Sequence, residues 1–110
     1  FNKAMYYTEF ELNGSSNYAF KVNLRKKRKS LLKKILINLD KKRIEYRMGA
    51  AGGGNQLRQP YLKNYVSNKE ISKFKNTEHI HFYSFYIGNY PELSSDSIDK
   101  IVNILNKSIL

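Results

Sequence analysis

The residues best suited to chemistry lie in "RMGAAGGGNQLRQP", Arg47 to Pro60. Arg58 carries a planar fork of donors that matches phosphate or carboxylate in bidentate fashion. Asn55 and Gln59 can each donate to and accept from hydroxyl or carbonyl groups. Ahead of them run Gly52, Gly53 and Gly54, whose bare backbone permits close approach to another group. Arg47 stands upstream, at the end of an expected strand, pointing into the same region. Together these residues suit a polar, anionic small molecule such as a phosphorylated sugar. A structural bend or a subunit contact fits the same residues, and Arg47 fits a surface ion pair equally well.

Other chemistries fail on spacing. The glycines lack the lysine and hydroxyl that a phosphate loop places before a helix, and Pro60 interrupts the helix that a dinucleotide fingerprint requires. His79 and His81 are offset by two, which on a strand would put them on one face, but no third ligand comes at a recognisable spacing. A histidine packed among Phe82, Tyr83 and Phe85 reads as a hydrogen-bonded core residue. No nucleophile–base pair and no paired carboxylates can be placed. By its own residues the chain contains no active site.

The elements that must position the loop follow from periodicity. Tyr18 to Leu24 alternates as a strand, with Tyr18, Phe20, Val22 and Leu24 on one face. Between Lys26 and Lys42 the period becomes helical, Leu31, Leu32, Ile35, Leu36 and Leu39 making the apolar stripe. Arg43 to Met48 reads as a short strand that opens into the glycines. Asn68 is placed to cap a short helix turning Ile71 and Phe74 inward. His79 to Gly88 is β-favouring throughout and apolar on both faces, the pattern of a strand covered on both sides. After "NYPEL", Ser94 or Ser95 caps a final helix with Asp96 and Asp99 near its positive end and Ile98, Ile101, Val102 and Leu105 facing inward. The expected class is α+β, a small mixed or antiparallel sheet packed by helices.

The 110 residues suffice for one domain with a modest core. The opening at Phe1 reads as a piece of a longer protein. Without cysteine there is neither a disulfide framework nor a thiolate metal site, which is compatible with the cytoplasm. No apolar run approaches the ~18 residues of a membrane span. The net charge of +11 is concentrated in "RKKRKSLLKK", Arg25 to Lys34. A solvated helix face accounts for that stripe; so would an anionic ligand, an acidic domain or a nucleic acid. A free-standing nucleic-acid-binding module is the alternative from a different class, with the stripe tracking phosphates and the tyrosines stacking on bases. Against it, the basic residues sit on a helix apart from the aromatic strand.

Taken in order, "IEYRMGAAGGGNQLRQPYL" and "HIHFYSFYIGNYPELSSDSIDKIVNIL" resemble the C-terminal part of the DegT/StrS family. These are pyridoxal-phosphate-dependent sugar-nucleotide aminotransferases and dehydratases with the aspartate-aminotransferase fold. Arg47, Gly54 with Asn55, Arg58 to Pro60, and Gly88 to Leu93 occupy the positions of the family's strand-end arginine, loop and Gly-x-x-Pro-x-Leu turn. Nearly the whole chain is covered, and the loop looks more like that of the sugar 3-dehydratase branch. The resemblance implies a small domain covering the cofactor cleft of a large domain in a homodimer. It implies a nucleotide-sugar substrate met by Arg47, Gly54, Asn55, Arg58 and Gln59, and pyridoxal phosphate anchored upstream by a lysine, or by the histidine of dehydratases. On this reading the large domain is missing, the 110 residues alone are inactive, and surface-polysaccharide synthesis in the cytoplasm is the setting.

Overall fold

A computed structural model describes residues 1–108. Three strands, β1 (Ala19–Asn23), β2 (Arg47–Met48) and β3 (Ser84–Gly88), form an antiparallel sheet in the order β1-β3-β2. Four helices accompany them: α1 (Lys29–Lys41), α2 (Asn68–Ser72), α3 (Lys75–Tyr83) and α4 (Ser95–Lys107). The class is α+β, as the sequence pattern predicts.

Register separates the two faces of the sheet. Val22 pairs with Phe85 and Phe20 with Ile87, while Met48 meets Phe85 from the other side. Alternation puts these on one face, where Val22, Leu24, Phe85 and Ile87 are buried with Leu31, Leu32, Ile35 and Leu39 of α1 and Leu105 of α4. Tyr6 completes this core, fully buried, its hydroxyl donating to the Leu105 carbonyl at 2.8 Å. The opposite face carries Lys21, Tyr86 and Arg47 in one cross-strand row. The glycine loop lies over that row, because a Cβ on Gly52 would stand 2.6 Å from Arg47 Cβ and 2.7 Å from Tyr86 Cε1. The molecule is therefore layered as helices, sheet, then loop.

Several elements differ from the pattern. The strand expected over His79 to Gly88 begins only at Ser84; His79 to Tyr83 finish α3. Glu78 in the first turn suits the helix dipole, and tertiary contacts of this helix outweigh the β preference of its aromatic residues. The strand expected over Arg43 to Met48 shrinks to its last two residues. Arg43 takes a positive φ of 55° as α1 ends, and the Ile44 amide donates back to the Leu39 carbonyl. Ser67 rather than Asn68 caps α2, in a reciprocal capping box with Glu70. Ile71 is buried as expected, but Phe74 is half exposed. Ser94 caps α4 by accepting from the Ser97 amide. Tyr18, just ahead of β1, and Ile98, near the start of α4, are exposed rather than in the core.

Candidate functional site

Short 3₁₀ turns at Gly49–Ala51, Gln56–Arg58 and Pro60–Leu62 fold the loop between β2 and α2 on itself. The amides of Gly52 and Gly54 both donate to the Gly49 carbonyl. Gly54 has no room for a side chain: a Cβ would lie 2.5 Å from the Gly49 oxygen and 2.5 Å from His81 Nδ1. The bare backbone does permit a close approach, and what comes close is the domain's own α3 and sheet.

Asn55 is the centre of the latch and is only 2% exposed. Its amide donates to His81 Nδ1 at 2.9 Å, its Nδ2 donates to Glu78 Oε1 at 2.8 Å, and its Oδ1 accepts from the Leu57 amide at 3.0 Å. Arg58 reaches the same carboxylate, Nε to Oε1 at 2.8 Å and one terminal nitrogen to Oε2 at 2.6 Å. Its guanidinium also lies over the Phe82 ring, 4.7 Å from the centroid. Glu78, His81 and Phe82 occupy helix positions i, i+3 and i+4, so α3 presents all three to the loop along one face. Gln59 closes the turn by donating to the Ala50 carbonyl at 3.0 Å.

The electrostatics follow from these contacts. The Arg58 guanidinium holds the Glu78 carboxyl below its ordinary range, with help from Asn55 and against partial burial. Burial first, and the charge of Arg58 second, keep the His81 imidazole below its usual 6.5, with Glu78 opposing. A neutral ring fits the geometry: Nδ1 accepts from Asn55, so the proton sits on Nε2. His79 also carries a proton on Nε2, but its partner differs: that nitrogen faces the Leu24 carbonyl and must donate. On the helix the two histidines therefore serve different partners and do not share a face, correcting the strand-based geometry.

Of the residues singled out by sequence, Gly54, Asn55, Arg58 and Gln59 come together in one latched turn. Arg47 does not join them. It opens onto a groove of about 620 Å³ with Asp40, Arg43 and Glu45, whereas Arg58 and Gln59 line one of about 420 Å³ with Lys63, Ser67 and Asn68. A more spacious trough of about 980 Å³ lies between α1 and α4 and contains none of them. Sequence reasoning passed over Glu78 and read His81 as a hydrogen-bonded core residue beside Phe82 without linking either to the loop; the signal was their i, i+3, i+4 spacing, hidden by reading His79 onward as a strand.

The described residues can offer an anion the N–H groups of Arg58 that Glu78 leaves free, at a side chain 34% exposed. Glu78, the acid at the loop, is bound to Arg58 and Asn55, and Lys21, half buried beside the glycines, donates to the Gly53 carbonyl at 3.3 Å. No catalytic step is assigned to this chain.

An α+β domain with a latched, arginine-bearing loop is the class that fold and site define. Over 65 residues, 59% of its length, the chain is 37% identical to the lipopolysaccharide biosynthesis protein RfbH of Salmonella typhimurium, and it spans 14% of that protein. Neither a known family's profile nor a solved structure matches the chain. Among the described residues no helix is long and apolar enough to cross a membrane.

Proposed function

We propose that this chain is the C-terminal, substrate-cleft domain of a nucleotide-sugar enzyme that works in the cytoplasm on surface-polysaccharide precursors. The observation carrying this reading is the 37% identity to a lipopolysaccharide biosynthesis protein. The latched loop gives it a physical rationale. A diphosphate needs donors held in place before it arrives. Glu78 holds the Arg58 guanidinium over the Phe82 ring and leaves its outer N–H groups free. Gln59 and Lys63 flank it in the same groove. Asn55 and Gly54 are scaffold in this reading: their polar groups and their lack of side chain build the turn that carries Arg58. Arg47 is a second contact, reached from the neighbouring sheet edge.

The reaction itself belongs to polypeptide outside this chain. The parent is proposed to be a homodimer whose large domain binds pyridoxal phosphate and either removes the sugar 3-hydroxyl or transfers an amino group. The test uses the full-length enzyme with Arg47→Ala and Gln59→Ala, residues outside the Asn55–Glu78–His81 latch. KM for the sugar nucleotide should rise roughly tenfold for Arg47→Ala, as expected for loss of one charged contact to phosphate, with the melting temperature unchanged. A full-length protein that shows no pyridoxal phosphate absorbance and no sugar-nucleotide binding overturns the proposal. So does an unchanged KM in both variants.

A further inference from the structure

The trough between α1 and α4 has a construction that neither the loop nor the sugar-nucleotide reading uses. Its floor is aliphatic: Ile44, Ile87, Leu93, Ile101 and Ile104. Its rim carries four lysines, Lys41 and Lys42 at the end of α1 and Lys100 and Lys107 along α4, against one acid, Glu45. Among the described residues none of the four lysines has a carboxylate within ion-pair distance.

Two features choose the occupant. Of the residues lining the trough only Ile87 is buried, so a small molecule there would stay largely wet, whereas ligand pockets enclose most of what they hold. The α4 wall runs through Ser97, Lys100, Ile101, Ile104 and Lys107. That spacing is one helix face, roughly 15 Å or three turns long at ~1.5 Å per residue. Such a wall matches the apolar stripe of another helix, the groove-binding mode of peptide recognition. The lysines fix the sign, since acids flanking that stripe would meet ammonium groups on both rims. Tyr90, 56% exposed at the trough's edge, offers an aromatic anchor. We propose that this trough docks an acidic amphipathic helix of a partner polypeptide.

The experiment uses the full chain and a synthetic helix with leucines at i, i+3 and i+4 and glutamates elsewhere. Its counterpart has every glutamate replaced by lysine. Anionic phospholipid vesicles and a duplex oligonucleotide serve as separate arms. Binding is followed by fluorescence anisotropy and located by hydrogen exchange. The acidic helix should bind saturably, protect residues 93–107 and 38–45, and lose roughly tenfold in affinity in the Lys100→Glu, Lys107→Glu double variant. Tyr90→Ala should weaken it as well, and the lysine helix should not bind. The proposal is overturned if the acidic helix fails to bind, or if both variants bind it like the parent. Protection centred on residues 26–34, with vesicles or oligonucleotide binding as tightly, also overturns it by showing a generic polyanion surface.

Discussion

Replacing Gly54 by alanine tests whether the glycine run exists for internal packing. The new Cβ would stand 2.5 Å from the Gly49 carbonyl oxygen and 2.5 Å from His81 Nδ1, roughly 1 Å inside the ~3.5 Å at which nonbonded atoms rest. The Gly49 oxygen cannot retreat freely, because it accepts from both Gly52 and Gly54. His81 must therefore swing away, breaking its bond to the Asn55 amide at 2.9 Å. A buried donor left unpaired costs about 1–3 kcal/mol, and the crowding itself about 1–3 kcal/mol. The reduced freedom of the unfolded chain offsets about 0.4–1 kcal/mol. The net loss centres near ~3 kcal/mol, which at ~4–8 °C per kcal/mol for a domain of this size lowers Tm by roughly 12–24 °C. Gly88→Ala is the control, since nothing lies within 4 Å of its added Cβ; it should leave Tm within a few degrees or raise it slightly. Thermal unfolding followed by circular dichroism measures both. A Gly54→Ala protein melting with the Gly88→Ala control would refute the packing account and return the glycines to ligand approach.

Three further outcomes follow from the same contacts. His81 is held neutral below its ordinary 6.5, so on acidification the unfolded chain takes up its proton first. The stability it contributes is complete above about 6.5 and is lost as pH falls through the lower folded value; urea midpoints should drop between neutral and mildly acid pH, and less so in His81→Gln. Glu78 is held low by Arg58, so its contribution is present above about 4.5 and lost as pH falls further. Glu78→Gln should cost about 1–2 kcal/mol at neutral pH, a difference from the parent that shrinks in acid when urea curves are compared. Burial pushes the Tyr6 phenol up to about 12, so its contribution is intact below pH 10 and declines as pH rises towards that value. Tyr6→Phe should cost about 1 kcal/mol through the lost bond to Leu105 and remove the last tyrosine to ionise in an ultraviolet titration.

Legibility in the sequence tracked how local each determinant is. The stripe Leu31, Leu32, Ile35 and Leu39 repeats at helical spacing within one element, and it is the buried face of α1. Val22 and Leu24 alternate correctly, and Ser94 caps α4 through its own third neighbour. His79 to Tyr83 were misread because their residue types favour strands, while the deciding contacts are remote: the Leu24 carbonyl for His79 and the Asn55 amide for His81. Arg43's positive φ, which cut β2 short, depends on how the end of α1 folds back on Leu39. The histidine contacts join residues tens of positions apart, and periodicity in one window carries no trace of them.

The loop shows the same division within the candidate site. Side-chain chemistry alone gave Asn55 and Arg58 equal standing as readers of a ligand. Their surroundings separate them. Asn55, with its amide, Oδ1 and Nδ2 all bonded internally at 2% exposure, has little left to offer a substrate. Arg58 meets Glu78 through Nε and one terminal nitrogen, and a guanidinium has five N–H groups. Holding one edge of the fork rigid while the other faces a groove lowers the ordering cost of binding an anion. Glu78 and His81 thus hold one geometry for two purposes, the turn's stability and the arginine's aim. Variants of Glu78 should therefore change stability and substrate affinity together, whereas Arg47→Ala, outside the latched turn, should change affinity alone.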